Sequence, residues 1–164
     1  MNRQWLVYML SILCGLAPAA AHPQSVAPAP RSYAADLGTL YGERYSLQVL
    51  KDVCIFVQPK TRAELQKAYG GWLERNEDLI EDLDIRFQAM VKQVSRDENE
   101  FARVYGKYQG AVMSQRQVQK DELLALPRDE LLGQCKELPG YLRSANSNIP
   151  ARYPDEFKTV YGKK

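Results

Sequence analysis

From Tyr41 the apolar residues recur every four positions, at Tyr41, Tyr45, Val49, Val53 and Val57, with Leu50 and Cys54 beside them. This spacing lays them along one face of a helix, and Pro59 ends the run because proline has no backbone donor to continue it. Thr61 and Glu64 stand at the spacing of a capping box, in which hydroxyl and carboxylate each satisfy a free backbone N–H, so a second helix is predicted to start there. Its stripe runs from Leu65 and Ala68 through Tyr69, Trp72, Leu79, Ile80, Leu83, Phe87, Met90 and Val91 to Val94, in steps no strand produces. Gly70 and Gly71 are its expected point of bending.

Asp97 and Glu100 repeat the capping arrangement ahead of Phe101, Val104, Tyr105, Tyr108, Val112 and Val118, which predicts a third helix to about Leu124. Pro127 suits a first helical position, and Asp129 and Glu130 place acids where the helix dipole favours them. Leu131, Cys135, Leu138 and Leu142 form the fourth stripe, which Pro139 and Gly140 are expected to kink or end. Four amphipathic segments with short connections predict an all-α, antiparallel four-helix bundle over residues 39–145. In an up-and-down order the end of the first helix lies beside the start of the fourth, so Cys54 and Cys135 can meet. The tail, residues 146–164, is polar and punctuated by proline. Its segment from Asp155 to Tyr161 is expected to add one short helix docked through Phe157, Val160 and Tyr161.

The N-terminus departs from this pattern. Arg3 is its only charge, an apolar run extends from Trp5 to Leu16, and small residues follow through Ala21. That order predicts a cleaved secretory signal peptide over residues 1–21, since the run is shorter than the ~20 residues that span a bilayer. No other stretch approaches that length. A rival reading makes Cys14 the lipid-acceptor cysteine of a lipoprotein, but Leu13 occupies the place where a small residue is normal. Residues 22–38 are expected to be a disordered, Pro/Ala-rich lead-in.

Export as a periplasmic or secreted protein leaves Cys54 and Cys135, an even pair most simply joined in one structural disulfide in an oxidising compartment. Without Arg3 the 22 basic side chains fall to one more than the 20 acidic ones, a balance that predicts no nucleic-acid or anionic-membrane partner. The full chain is 45% hydrophobic, enough for one ordinary core.

Candidate chemistry is sparse. The sole histidine, His22, borders the predicted cleavage point. Nucleophilic serine or cysteine therefore lacks its usual base, and zinc or haem its usual ligand, so no catalytic residue, cofactor or metal site is expected. Glu74, Glu77, Asp78, Glu81, Asp82 and Asp84 alternate with the apolar stripe and read as its water-facing side. Tyr69, Tyr105 and Tyr108 share the predicted core faces with Trp72, while Asn76 falls on the apolar side and Arg75 is placed to meet a partner. These six residues are the candidate pocket or interface.

The run Ala68-Tyr69-Gly70-Gly71-Trp72-Leu73-Glu74-Arg75-Asn76, set between two distant cysteines, resembles uncharacterised small exported helical proteins of Gram-negative bacteria. The resemblance implies the periplasm and a non-enzymatic role. Immunity proteins that neutralise cell-wall-degrading toxins have a similar build. So does a lysozyme-inhibitor family with a Leu-Ala-Trp-Arg helix, although this chain lacks that family's multiple cysteines and no inhibitory residue carries over. The expectation is an exported, non-catalytic domain that binds another periplasmic or secreted protein. One alternative is a small-ligand-binding bundle built around Tyr69, Trp72 and Tyr105. A second is a carboxylate-based cell-wall enzyme, which needs two acids about 5 to 10 Å apart across a cleft.

Overall fold

The computed structural model describes residues 32–162, so the predicted signal peptide, Cys14, His22 and the first part of the lead-in lie outside the described residues. The first helix, α1, spans Tyr33–Val57 and so begins inside the segment expected to be a disordered lead-in. Ser32 explains the early start: its backbone is extended and its hydroxyl accepts the Ala35 N–H at 3.1 Å, with Asp36 in the first turn. The last proline before it is Pro30, so nothing beyond that point prevents helix formation.

A short 3₁₀ turn, Pro59–Thr61, leads into α2, Arg62–Arg75. The predicted capping box does not form. Thr61 is already helical, and its hydroxyl donates to the Gln58 carbonyl at 2.7 Å, while Glu64 pairs across the molecule with Arg143 at 3.0 Å. The helix continues without interruption across Gly70 and Gly71 and breaks at Asn76, beyond which α3 spans Glu77–Gln93. Asn76 breaks it because its side-chain amide donates back to the Trp72 carbonyl at 2.8 Å, a local bond that competes with the helical ladder.

Helix α4 spans Glu98–Ala125, close to its predicted extent. Asp97 caps it, accepting the Glu100 N–H at 2.8 Å, while the Glu100 carboxylate accepts the Arg96 N–H at 2.9 Å. Pro127 caps rather than begins α5, Arg128–Arg143, and Pro139 does not end it. Leu138, Pro139 and Leu142 are all buried there, so packing outweighs the missing donor. After a second 3₁₀ turn, Ala145–Ser147, come α6, Ile149–Arg152, and α7, Pro154–Tyr161, the expected C-terminal helix.

The result is an all-α helical bundle whose described residues contain no strand. Helix α1 is its axis, in contact with α2, α3, α4, α5 and α7. That position explains why the stripe read from Tyr41 to Val57 was too narrow. Leu37, Leu40, Leu47 and Ile55 are buried as well, so α1 is covered around most of its circumference. The main core joins α1, α2, α3, α5, α6 and α7 around Trp72, Leu65, Leu83, Leu131 and Leu142. A second, smaller cluster of Tyr41, Phe87 and Val91 lies where α3 and α4 meet α1. Cys54 and Cys135 are bonded, with their Cα atoms 5.2 Å apart. No helix among the described residues is long and apolar enough to cross a membrane.

Candidate functional site

Three of the six candidate residues, Trp72, Arg75 and Asn76, converge on the end of α5 and the segment that follows it, and a fourth, Tyr69, stacks on one of them. Trp72 is 0% exposed, and its indole N–H donates to the Ser147 carbonyl at 2.8 Å. Arg75 donates to the carbonyls of Gly71, at 3.0 Å, and Leu142. Asn76 is buried, and its carbonyl oxygen lies 3.5 Å from the Ile149 N–H that donates to it. Tyr69 stacks on Trp72 with ring centroids 5.8 Å apart and donates to the Arg44 carbonyl at 3.1 Å. Burial pushes the Tyr69 phenol up to about 12, so it remains a donor throughout the neutral range. These groups hold the C-terminal segment against α2.

Tyr105 and Tyr108 belong elsewhere. Tyr105 stacks on Phe101 and meets Phe87 edge-on in the second cluster, with centroids 5.7 and 6.2 Å away. Tyr108 also meets Phe87 edge-on, but is 40% exposed rather than part of a core face. Tyr69, Trp72 and Tyr105 are therefore not gathered at one place: Trp72 has no free surface, and Tyr105 packs with a different set of rings.

The most perturbed chemistry lies at residues outside that set. Glu43 on α1 is fully enclosed and forms an ion pair with Arg152 of α6. It also accepts the Tyr153 hydroxyl at 2.7 Å, and the Arg152 guanidinium lies over the rings of Tyr153 and Tyr141 at 5.5 and 6.0 Å. Burial raises the Glu43 carboxyl above its ordinary range, and the opposing pull of Arg152 and Tyr153 does not cancel it. The signal for Glu43 was present in the sequence. It stands between Leu40 and Leu47 at helical spacing, a carboxylate within an apolar line. Arg152 lies in a tail whose polar composition gave no reason to expect burial.

A second polar group joins α1 to α3 and α4. Arg44 bonds Asp84 at 2.8 Å and lies over the rings of Tyr45 and Tyr41 at 4.5 and 5.1 Å. Arg116 approaches Tyr45 at 5.3 Å, and Gln109 donates to the Tyr41 hydroxyl at 3.0 Å. A third group pins α7, where the Tyr161 hydroxyl donates to Asp82 and Arg86 covers the Tyr161 ring at 4.4 Å. Burial pushes the Asp82 carboxyl up, but Tyr161 and Arg86 together outweigh it and hold the group below its ordinary range. All three groups fasten one helix to another.

One open cleft of about 360 Å³ lies beside the disulfide, lined by Gln58, Thr61, Glu64, Leu132, Lys136 and Pro139, among others. No group of three His, Cys, Asp or Glu residues capable of holding a metal ion occurs among the described residues. Large apolar side chains nevertheless face outward, including Phe56 at 74% exposure, Ile85 at 59% and Val94 at 63%. Comparison of the chain with family models, with curated proteins and with solved structures gives no match in any of the three.

Proposed function

We propose that this protein is an exported, non-catalytic domain that binds another protein in the periplasm or outside the cell. The observation that carries the reading is the outward display of Phe56 on α1, close in sequence to the Cys54–Cys135 bond, and of Ile85 on α3, which polar clusters tie to α1 and α7. Water-exposed rings and branched chains on a fixed frame favour association, because covering them releases ordered water at little cost in conformational entropy. Export follows from the leader-like N-terminus and agrees with the cysteine pair, since disulfides persist in oxidising compartments. An immunity protein or enzyme inhibitor is the narrower form of the same reading.

The test is retention of a periplasmic protein on the immobilised, oxidised domain, with Phe56→Asp and Ile85→Asp as controls of unchanged helicity. One retained species, lost with at least one of the two variants, is the expected result. Retention of nothing at micromolar bait, or equal retention by the variants, would remove the proposal.

A second reading has one observation in its favour. The 360 Å³ cleft falls in the size range of small-ligand sites and carries both Glu64 and Lys136 on its wall. A small zwitterion is the ligand class such a wall suits. Calorimetric titration with free amino acids checks it, with Lys136→Ala as control.

A further inference from the structure

Helix α4 is 28 residues long and buries none of its side chains, although it packs on α1 and α3. Its inner side is half-buried through Tyr105, Gln109, Val112 and Arg116. On the opposite side Arg103, Lys107, Gly110, Ser114, Gln117 and Asp121 follow one another in alternating steps of four and three, and all six are exposed. Steps of four and three keep the six on one side of the helix, forming a polar seam whose charges rather than apolar contacts would have to select a neighbour. The middle of the seam is bare, because a side chain added at Gly110 would meet nothing within 4 Å.

The seam is also charged in a directional way. Two cations stand toward its N-terminal end, an anion stands toward its C-terminal end, and a glycine and a serine lie between them. A second copy laid parallel would set Arg103 against Arg103 and Lys107 against Lys107. Laid antiparallel about the midpoint of Gly110 and Ser114, it sets Arg103 against the partner's Asp121 at both ends. Gly110 then faces the partner's Ser114, and Lys107 faces the partner's Gln117. These pairs lie at equal distances in sequence from the midpoint, as a two-fold axis requires. Met113, 59% exposed, lies beside that axis and is brought against its own copy.

We propose that α4 is the interface of an antiparallel homodimer, with Arg103 paired to the partner's Asp121 and close approach permitted at Gly110. Within one copy Arg103 bonds Glu100 at 3.1 Å and Asp121 accepts from Gln117 at 2.9 Å, both at exposed positions. Neither contact occupies all of its charged group's bonding capacity. The dimer is independent of the binding reading above, and its test contains no other protein.

Sedimentation equilibrium of the purified, oxidised protein, from about 1 μM to about 1 mM, is the measurement. A reversible monomer–dimer equilibrium is expected. Arg103→Asp and Asp121→Arg are each expected to weaken it about tenfold or more, and the double variant to restore it, since the swap rebuilds both ion pairs. Gly110→Leu is expected to abolish it while the helical circular dichroism is kept and the monomer melts no lower than the parent monomer, because that position is open in the monomer and leucine favours a helix more than glycine. A chain that stays monomeric over the whole range overturns the proposal. So does a dimer that survives Gly110→Leu and ignores the charge swap.

Discussion

The body around Cys54–Cys135 and the limb formed by α4, the longest helix and a weakly amphipathic one, are held in different ways. In the body, α1, α2 and α5 share one core with Trp72 and Leu142 at its centre, and a covalent bond crosses it. The limb rests on a small aromatic cluster where Tyr41 stacks on Phe87 at 4.3 Å, together with polar contacts such as Gln109 to Tyr41 and Gln119 to Ser46. Apolar periodicity gives a helix a face, but the number of neighbours around that face decides how much of it is buried. Helix α4 has its principal neighbours on one side only, so Val118 at the edge of its predicted stripe stays 46% exposed.

The sharpest way to break the comparison is to remove the covalent tie. Replacing both Cys54 and Cys135 with alanine frees a separation of 81 residues and is expected to lower stability by roughly 4 to 5 kcal/mol, read from urea unfolding. Next comes Glu43→Leu, which strands Arg152 and is expected to cost about 3 to 4 kcal/mol, with much of that loss recovered in the double variant carrying Arg152→Met. In the limb, Asp97→Ala removes only a cap. A loss of about 1 kcal/mol is expected, together with faster amide exchange in the first turn of α4 and unchanged exchange in α5.

The finest effect is a dependence on pH. The raised carboxyl of Glu43 favours the fold while protonated, so its contribution is complete below the ordinary value of about 4.3 and is lost as pH rises through the folded value. Asp82, held low, acts in the opposite sense: its contribution is present above the ordinary range and is lost as pH falls through its lowered value. Unfolding midpoints of the parent chain, measured relative to Glu43→Gln, are therefore expected to fall as pH is raised from about 4 to about 7.

The helices and the cysteine pair were legible because periodicity and capping are local properties of the chain. Asp97 and the limits of α4 illustrate this. What was not legible depended on contacts between distant segments. Asn76 ends α2 through a side-chain bond whose geometry is stabilised by Ile149, and Thr61 loses its capping role to a tighter preceding turn. Among the candidate residues, the sequence placed Tyr69, Trp72 and Asn76 on one face. It did not indicate that the C-terminal turn would cover that face, nor that Tyr105 would belong to a different cluster.

The tie between Glu43 and Arg152 links residues 109 positions apart, near the two ends of the described fold. Glu43 gains its cation only when segments this far apart in sequence have come together, so the pair closes a large loop and depends on the fold being assembled around it. Displacing α6 from α1 would leave a buried carboxyl on the central helix without its cation, which makes this contact a lock between the first and the sixth helix.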